Sequence, residues 1–351
     1  MSEATERLDG SIERLSLGGK LAVAARDIKL AHSVFALPFA VLGAFLAAPI
    51  VGLRETHPGF LPRRSPGDIV WDRFGGQLAL VVLCMVIART FAMLANRFVD
   101  RRLDALNPRT KTRAFAAGRL SHRDAVLMLA GSVSLFTIAT AGFGVFFGNW
   151  LPLLAGPLVL AWLAFYSYTK RFTALCHVVL GVALALSPVA AAVAVGGLAA
   201  LGIDPDARLA YQLVYTPTVG SAGPRDLLLL AAFVALWVAG FDVIYAMQDG
   251  DFDASHGLHS IPSRLGLARA TQLARILHAS AAMSLLTFGL FNERLGSVFL
   301  IATLLTLALL IAEHAILAAK GHKAIPLVFF TLNGVVAILL GVGGVIDVVR
   351  G

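Results

Sequence analysis

Two stretches of this chain collect oxygen-bearing side chains at spacings that matter chemically. The first, ANRFVDRRLDALNPRTKTR (residues 95–113), places Asn96, Asp100 and Asp104 four residues apart. At about 100° per residue each step advances about 400°, a net 40°, so a helix carries the three as one polar stripe. Two carboxylates and a carboxamide on one stripe offer hard oxygen ligands, and Mg2+ is usually held by one or two carboxylates plus substrate phosphates. The second, GFDVIYAMQDGDFDASHGLHSIPSRLG (residues 240–266), places Asp242, Asp249 and Asp253 within about 20° of one helical face, with Asp251 off it. One such stripe alone is equally well a solvated helix end, because Asp and Arg at close spacing can simply pair. Two stripes on different helices, at the same side, offer a seat for two metal ions around a shared anion.

Basic residues sit where that anion would need them. Arg101, Arg109, Lys111 and Arg113 follow the first stripe, and Lys170 and Arg171 lie in YSYTKRFT. Arg and Lys beside metal-holding carboxylates bind phosphate oxygens, so the implied ligand is a diphosphate with Mg2+.

The elements that must position these residues are membrane helices. Of the 351 residues, 58% are hydrophobic and only 14% charged, whereas soluble domains carry about 25% charged residues. Apolar runs long enough to span a bilayer, about 20 residues as helix, lie near 28–52, 76–96, 124–147, 150–167, 174–200, 226–248, 271–291, 295–318 and 325–348. In lipid, runs of this length are helices, which predicts an all-α integral membrane protein with nine spans. The net charge of +8 then belongs to loops and lipid faces and gives no reason to expect nucleic acid. Cys84 and Cys176 fall inside apolar runs and read as buried thiols. Residues 1–27 are polar, lack the apolar core of a cleavable signal, and read as a cytoplasmic segment ahead of a single domain over 28–351.

Most of the 29 Lys and Arg residues fall in segments 1–29, 97–123, 168–173, 249–275 and 319–324. That bias puts the N-terminus and both acidic stripes on the cytoplasmic side, and the C-terminus outside. Arg89 is the one cation placed well inside a span, about 700° before Asn96 and about 20° off its stripe. An intramembrane charge is expensive and usually functional. Loops 53–75 and 201–225, rich in Pro, Gly and Asp, read as variable surface loops. His32, His256 and His259 fit no zinc spacing and read as loop or interface residues. LLGVGGVI (residues 339–346) reads as close helix packing.

With these residues in view, the chain resembles the UbiA superfamily of membrane prenyltransferases over roughly residues 25–348. The family's first motif, NDxxDxxxD, appears as NRFVDRRLD, with Asn96, Asp100 and Asp104 matched and Arg97 where the family has Asp. NPRTKTR and the loop with Tyr166, Lys170, Arg171 and Thr173 match too, and the second motif, DxxxD, matches Asp249 and Asp253. A following Gly-x-Lys-Ser-Thr pattern is altered to Gly257, Leu258, His259 and Ser260.

The resemblance implies a nine-helix bundle around a central cavity in the cell (inner) membrane, with the active site facing the cytoplasm. It implies electrophilic transfer of a polyprenyl group from polyprenyl diphosphate to an aromatic acid, in quinone biosynthesis. Asn96, Asp100, Asp104, Asp249 and Asp253 would hold Mg2+. Arg101, Lys111, Arg113, Lys170 and Arg171 would contact the diphosphate, with Asp100, Asp249 and Arg101 at the catalytic step. KLAHSVFALPFA and GFDVIYAMQD point within the superfamily to the subgroup labelled 4-hydroxybenzoate polyprenyltransferase, which includes menaquinone-pathway enzymes acting on 1,4-dihydroxy-6-naphthoate. Arg89 or Arg113 would meet the acceptor carboxylate; Tyr245, about 60° from Asp242, is a candidate to face a prenyl cation while Phe91 faces elsewhere, with ordinary packing the commoner role for either ring. Arg97 lies about 60° from Asp100 around the helix, away from the stripe's centre, and would reach phosphate or anionic lipid. A divalent-cation transporter is the alternative from another class, and it would need carboxylates at mid-membrane depth rather than at span ends.

Overall fold

Every backbone N–H and C=O that enters hydrocarbon must be satisfied within its own segment, and a helix does this. The computed structural model describes residues 16–28, 35–48, 69–203 and 223–351. Among these residues there is no β-strand. In chain order the α-helices are α1 (Leu17–Ile28), α2 (Leu37–Leu46), α3 (Trp71–Val99), α4 (Arg101–Leu106), α5 (His122–Phe147), α6 (Leu151–Thr169), α7 (Cys176–Gly196), α8 (Pro224–Ala246), α9 (Gly250–Ser255), α10 (Ile261–Phe291), α11 (Ser297–Lys320) and α12 (Asn333–Arg350).

Eight helical stretches, those containing α3, α5, α6, α7, α8, α10, α11 and α12, are long and apolar enough to cross a membrane. The chain is a multi-pass membrane protein. Within the expected first span, 28–52, the described part is the ten-residue apolar helix α2. Residues 29–34, with His32, and 49–52 lie outside the described residues, as do 53–68 and 204–222 of the two long loops. The expected span at 271–291 starts earlier, at Ile261. Arg264, Arg269 and Arg275 keep its first turns polar, so hydropathy alone stops short of them. A break in that helix falls at Gly266, whose φ of 76° suits glycine.

The core gathers on α8, the most buried of the spans, which packs on α7 and α10. Trp237 and Phe233 of α8 are fully buried with Phe39 of α2. The indole N–H of Trp237 donates to Asn333 Oδ1 on α12 at 2.8 Å, which relieves the one polar atom of that ring. Where α7 meets α8, a Cβ on Gly181 would overlap the Ala235 carbonyl oxygen. Small residues permit such backbone approach in membranes. Gly181→Ala is therefore expected to destabilise the bundle by about 1–3 kcal/mol, read as a lower unfolding midpoint in detergent. An unchanged midpoint would show that α7 and α8 can separate without loss.

At the end of the bundle holding both motifs, α1 ties down the segment after α4. Asp27 Oδ1 accepts from Ala114 N at 3.1 Å, and Lys20 Nζ lies 2.8 Å from Asp124 Oδ1. Asp124 also closes a capping box with Ser121 at the start of α5.

Candidate active site

The two acidic motifs meet because α3 and α8 deliver them to one end of the bundle. Asp100 ends α3, and the short α4 carries Asp104. Beyond α8 the chain tightens into a 3-10 turn at Met247–Asp249 and continues as α9 with Asp253. The second stripe is therefore not one ideal helix, and Asp242, Asp249 and Asp253 take three different partners.

A cavity of about 260 Å³ is lined by Asn96, Asp100, Asp104, Asp242, Asp249 and Asp253, and by Arg109, Arg113, Lys170 and Arg171. Acid and base are paired across it. Arg171 Nη2 lies 2.7 Å from Asp100 Oδ1, Arg113 Nη1 2.6 Å from Asp104 Oδ1, and Lys170 Nζ 2.8 Å from Asp253 Oδ1. Arg109 grips Asp249 through two nitrogens, with Nε 3.0 Å from Oδ1, and donates from Nη1 to Tyr245 Oη at 2.8 Å. Asn107 Nδ2 adds a hydrogen bond to Asp249 Oδ1 at 3.0 Å. Asn96 Nδ2 donates to Asp100 Oδ2 at 3.2 Å. Burial pushes the Asp100 carboxyl above its ordinary value, opposed by the Arg171 guanidinium. Desolvation would lower Arg109, but Asp249 and Tyr245 outweigh it and hold the guanidinium above its usual value.

Among the described residues no three acidic, His or Cys side chains converge as a ready-made metal cage. Four carboxylates crowded without counter-charge would repel, so each draws in a cation instead. The donor set still fits a hard metal ion. Asp104 Oδ2 and Asp253 Oδ2 are buried and accept no hydrogen bond among the described residues, and they are the oxygen type Mg2+ prefers.

Several expected residues are placed elsewhere. Arg101 turns back on α3: its guanidinium stands 4.4 Å over the Phe98 ring, and Nη1 donates to Phe98 O at 2.7 Å. It lines a shallow groove with Arg102 and Arg171, beside the cavity rather than in it. Lys111 is exposed and lines neither. Arg97 lines the cavity but is 8% exposed, with Nε 3.9 Å from Asp27 Oδ2 of α1, so it faces protein and not lipid. Phe91 packs with Phe136 and Leu160 away from the cavity, and Tyr245 lines it, as their helical angles predicted. Asn107 and His177 are cavity residues that had no assigned role, and Arg109, grouped with the basic residues after the first stripe, is held by Asp249 of the second. Asn107 and Arg109 stand in NPR, outside any helical period, so angular reasoning could not place them.

His256 stacks on Phe252 at 4.0 Å, and His259 donates its backbone N–H to Lys170 O at 2.7 Å. Ser260 caps α10, its side chain accepting from Ser263 N. The altered Lys-Ser-Thr pattern thus serves loop and cap geometry.

A second, apolar pocket of about 160 Å³ runs between α3, α5, α6 and α7. It shares Arg89, Tyr166, Leu180 and Leu184 with the charged cavity. Arg89 stands at the junction. No carboxylate lies within ion-pair distance of it among the described residues, and its Nε has no hydrogen-bond partner there.

A membrane helical bundle with a charged cavity at one end and an adjoining apolar pocket is built to hold an amphiphile with an anionic head. Residues 64–335 match the model of the UbiA prenyltransferase family, and the chain belongs to that family; it is a transferase. It is 28% identical over 270 residues to a 4-hydroxybenzoate octaprenyltransferase of Edwardsiella ictaluri, covering 76% of this chain and 82% of the relative. It is 25% identical to one of Vesicomyosocius okutanii, covering 77% and 88%. Its structure matches an apo UbiA homologue from Aeropyrum pernix K1 at a TM-score of 0.69 and 30% identity, covering 91% of this chain and 98% of that one. A UbiA homologue from Archaeoglobus fulgidus bound to DMAPP and Mg2+, at 16% identity and a TM-score of 0.63 over 93% and 98%, shares the fold.

Proposed function

We propose that this protein is a Mg2+-dependent prenyltransferase that moves a polyprenyl group from polyprenyl diphosphate to 4-hydroxybenzoate or a related hydroxy-aromatic acid, in quinone biosynthesis. The observation that carries this reading is the junction of the paired-charge cavity with the apolar pocket. One holds a diphosphate, the other the first part of a prenyl tail, and the scissile C–O bond falls between them.

Asn96, Asp100, Asp104, Asp249 and Asp253 would hold the metal, which supplies positive charge to the leaving diphosphate. Arg109, Arg113, Lys170 and Arg171 bind phosphate oxygens. Those same cations are paired with the carboxylates, so binding is an exchange of partners. Arg101 and Lys111, outside the cavity, attract the diphosphate toward it. Phe241, Tyr245 and Phe329 wall the cavity, with the Tyr245 and Phe329 rings 4.2 Å apart. They shield a prenyl cation from water and offer it aromatic faces. Arg89 takes the acceptor carboxylate: its Nε is buried and it has no carboxylate partner among the described residues, whereas Arg113 is already held by Asp104. The basic loops around the site support a cytoplasmic orientation for it and for the N-terminus.

The partner exchange predicts mutual dependence of metal and anion. Mn2+ alone must break ion pairs without freeing their cations to any use, and inorganic diphosphate alone must do the reverse. Mn2+ affinity, read by electron paramagnetic resonance, is expected to rise at least about tenfold with diphosphate present, a coupling of about 1.4 kcal/mol. Equal affinity with and without diphosphate would remove the exchange.

The reading as a whole is tested by product analysis. Membranes holding the protein are given Mg2+, a polyprenyl diphosphate and either 4-hydroxybenzoate or 1,4-dihydroxy-6-naphthoate, and products are weighed by mass spectrometry. Prenylated 4-hydroxybenzoate is expected, in line with the named relatives; prenylated naphthoate alone would move the acceptor. Mg2+ flux into liposomes with no product from either would favour transport.

A further inference from the structure

Prenyl transfer to a ring carbon leaves one proton to be removed, and the residues assigned so far do not take it. Asp100, Asp104, Asp249 and Asp253 are committed to cations. Asp242 differs from them in partner and in depth. Its Oδ2 lies 2.6 Å from His177 Nδ1 on α7. Nε2 of that ring accepts from Ile261 N at 3.2 Å, so Nδ1 carries the hydrogen and donates it to Asp242. His177 is 3% exposed and held at both nitrogens. The Asp242 side chain keeps 21% exposure and lines the cavity, and Oδ1 meets no donor among the described residues.

Depth sets its neighbours. Asp242 precedes Asp249 by seven residues, roughly 10 Å deeper along α8. Arg89 precedes Asn96 by the same seven residues on α3. The two therefore share one layer beneath the diphosphate, and both line the cavity together with Tyr166. Arg89 and Asp242 form no ion pair with each other. A guanidinium and a carboxylate that face one layer without meeting leave room for an aromatic acid, its carboxylate on Arg89 and its ring hydrogens toward Asp242.

We propose that Asp242 is the catalytic base that removes the ring proton, with His177 as its positioning residue. This rests on the prenyl-transfer reading above. A ring π pair forms the bond to prenyl C1, and the C1–O pair departs with the diphosphate. The C–H pair at the attacked carbon returns to the ring, and its proton passes to Asp242 Oδ1. The proton leaves to water when product departs. The His177 N–H keeps Oδ2 occupied and the carboxylate turned, so that Oδ1 alone faces the ring.

The test uses the full-length protein in membranes and an acceptor deuterated beside its hydroxyl. Asp242→Asn keeps shape and the hydrogen bond from His177 while losing basicity. Turnover is expected to fall about 100-fold or more, with the KM for prenyl diphosphate unchanged. A primary deuterium isotope effect absent from the wild type is expected to appear in the variant, because proton loss becomes slow. His177→Phe should show a weaker isotope effect, and His177→Asn, which restores a donor, should suppress it. Stabilisation of Asp242→Asn by inorganic diphosphate with Mg2+, equal to the wild type's, confirms a folded site. A slowed variant without an isotope effect, or a variant as fast as the wild type, overturns the base assignment. A wild type that makes no prenylated product overturns the reading beneath it instead.

Discussion

Asp249→Asn is expected to lower kcat/KM for prenyl transfer by at least about 100-fold, the size of losing one electrostatic group aimed at a transition state. Asp249 is where the two halves of the site touch. It accepts from Asn107 and Arg109, which follow the first motif, while standing in the second. The amide that replaces it cannot hold a metal ion as a carboxylate does, and it leaves the Arg109 charge unmatched near Tyr245. Stability should change less than the rate, because the residue, though buried, lies beyond the end of α8 and lines the cavity outside the apolar core. Initial rates of product formation beside thermal unfolding midpoints separate the two effects. Arg101→Ala is the internal control: it lines the neighbouring groove, so its rate should stay within about tenfold of the wild type. If Asp249→Asn turns over normally, the second acidic motif is a structural ion-pair network and the metal assignment fails.

Arg89→Leu should raise the KM for the acceptor acid by about 30-fold to several thousand-fold, since truncating one partner of a buried charge pair costs about 2–5 kcal/mol. The direction of the stability change is the informative part. Arg89 is half-buried within a span, its Nε fully so, with no carboxylate partner among the described residues, and charge within a membrane is costly to hold. Leucine at that position should leave the unfolding midpoint unchanged or raise it. A residue retained at a cost to the fold is retained for its ligand. The matching control is a methyl ester of the acceptor, whose KM should be nearly indifferent to the substitution. Equal losses for acid and ester would mean that Arg89 shapes the pocket and does not bind the carboxylate.

Much of this protein was legible in one dimension. Composition and apolar run length imposed membrane helices, because lipid excludes any other open arrangement of backbone. The four-residue spacing of Asn96, Asp100 and Asp104 required them to share a face, and they do line one cavity. Angular position also sorted Tyr245 into the cavity and Phe91 out of it. What helical angle cannot report is which loop folds over a helix end. The pairing of Arg109 with Asp249, Lys170 with Asp253 and Arg171 with Asp100 joins residues about 70 to 140 positions apart in sequence, set by how α4, α9 and the α6–α7 turn pack. The direction of Arg101 was equally invisible, because an aromatic ring three residues earlier competes for its guanidinium.

The sequence by itself determined that the chain lies in lipid as helices and that two oxygen-rich motifs stand at helix ends beside basic loops. Both follow from local rules: backbone hydrogen bonding and a fixed angle per residue. Only the tertiary structure decided that Asp100, Asp104, Asp249 and Asp253 each meet a cation, that Arg89 meets no carboxylate among the described residues, and that Asp242 is held by His177 instead of by Arg or Lys. Those outcomes depend on distances between different helices, and close packing at points such as Gly181 against Ala235 sets those distances. Side-chain charge is written in the sequence; whether that charge is balanced depends on the neighbours packing brings to it.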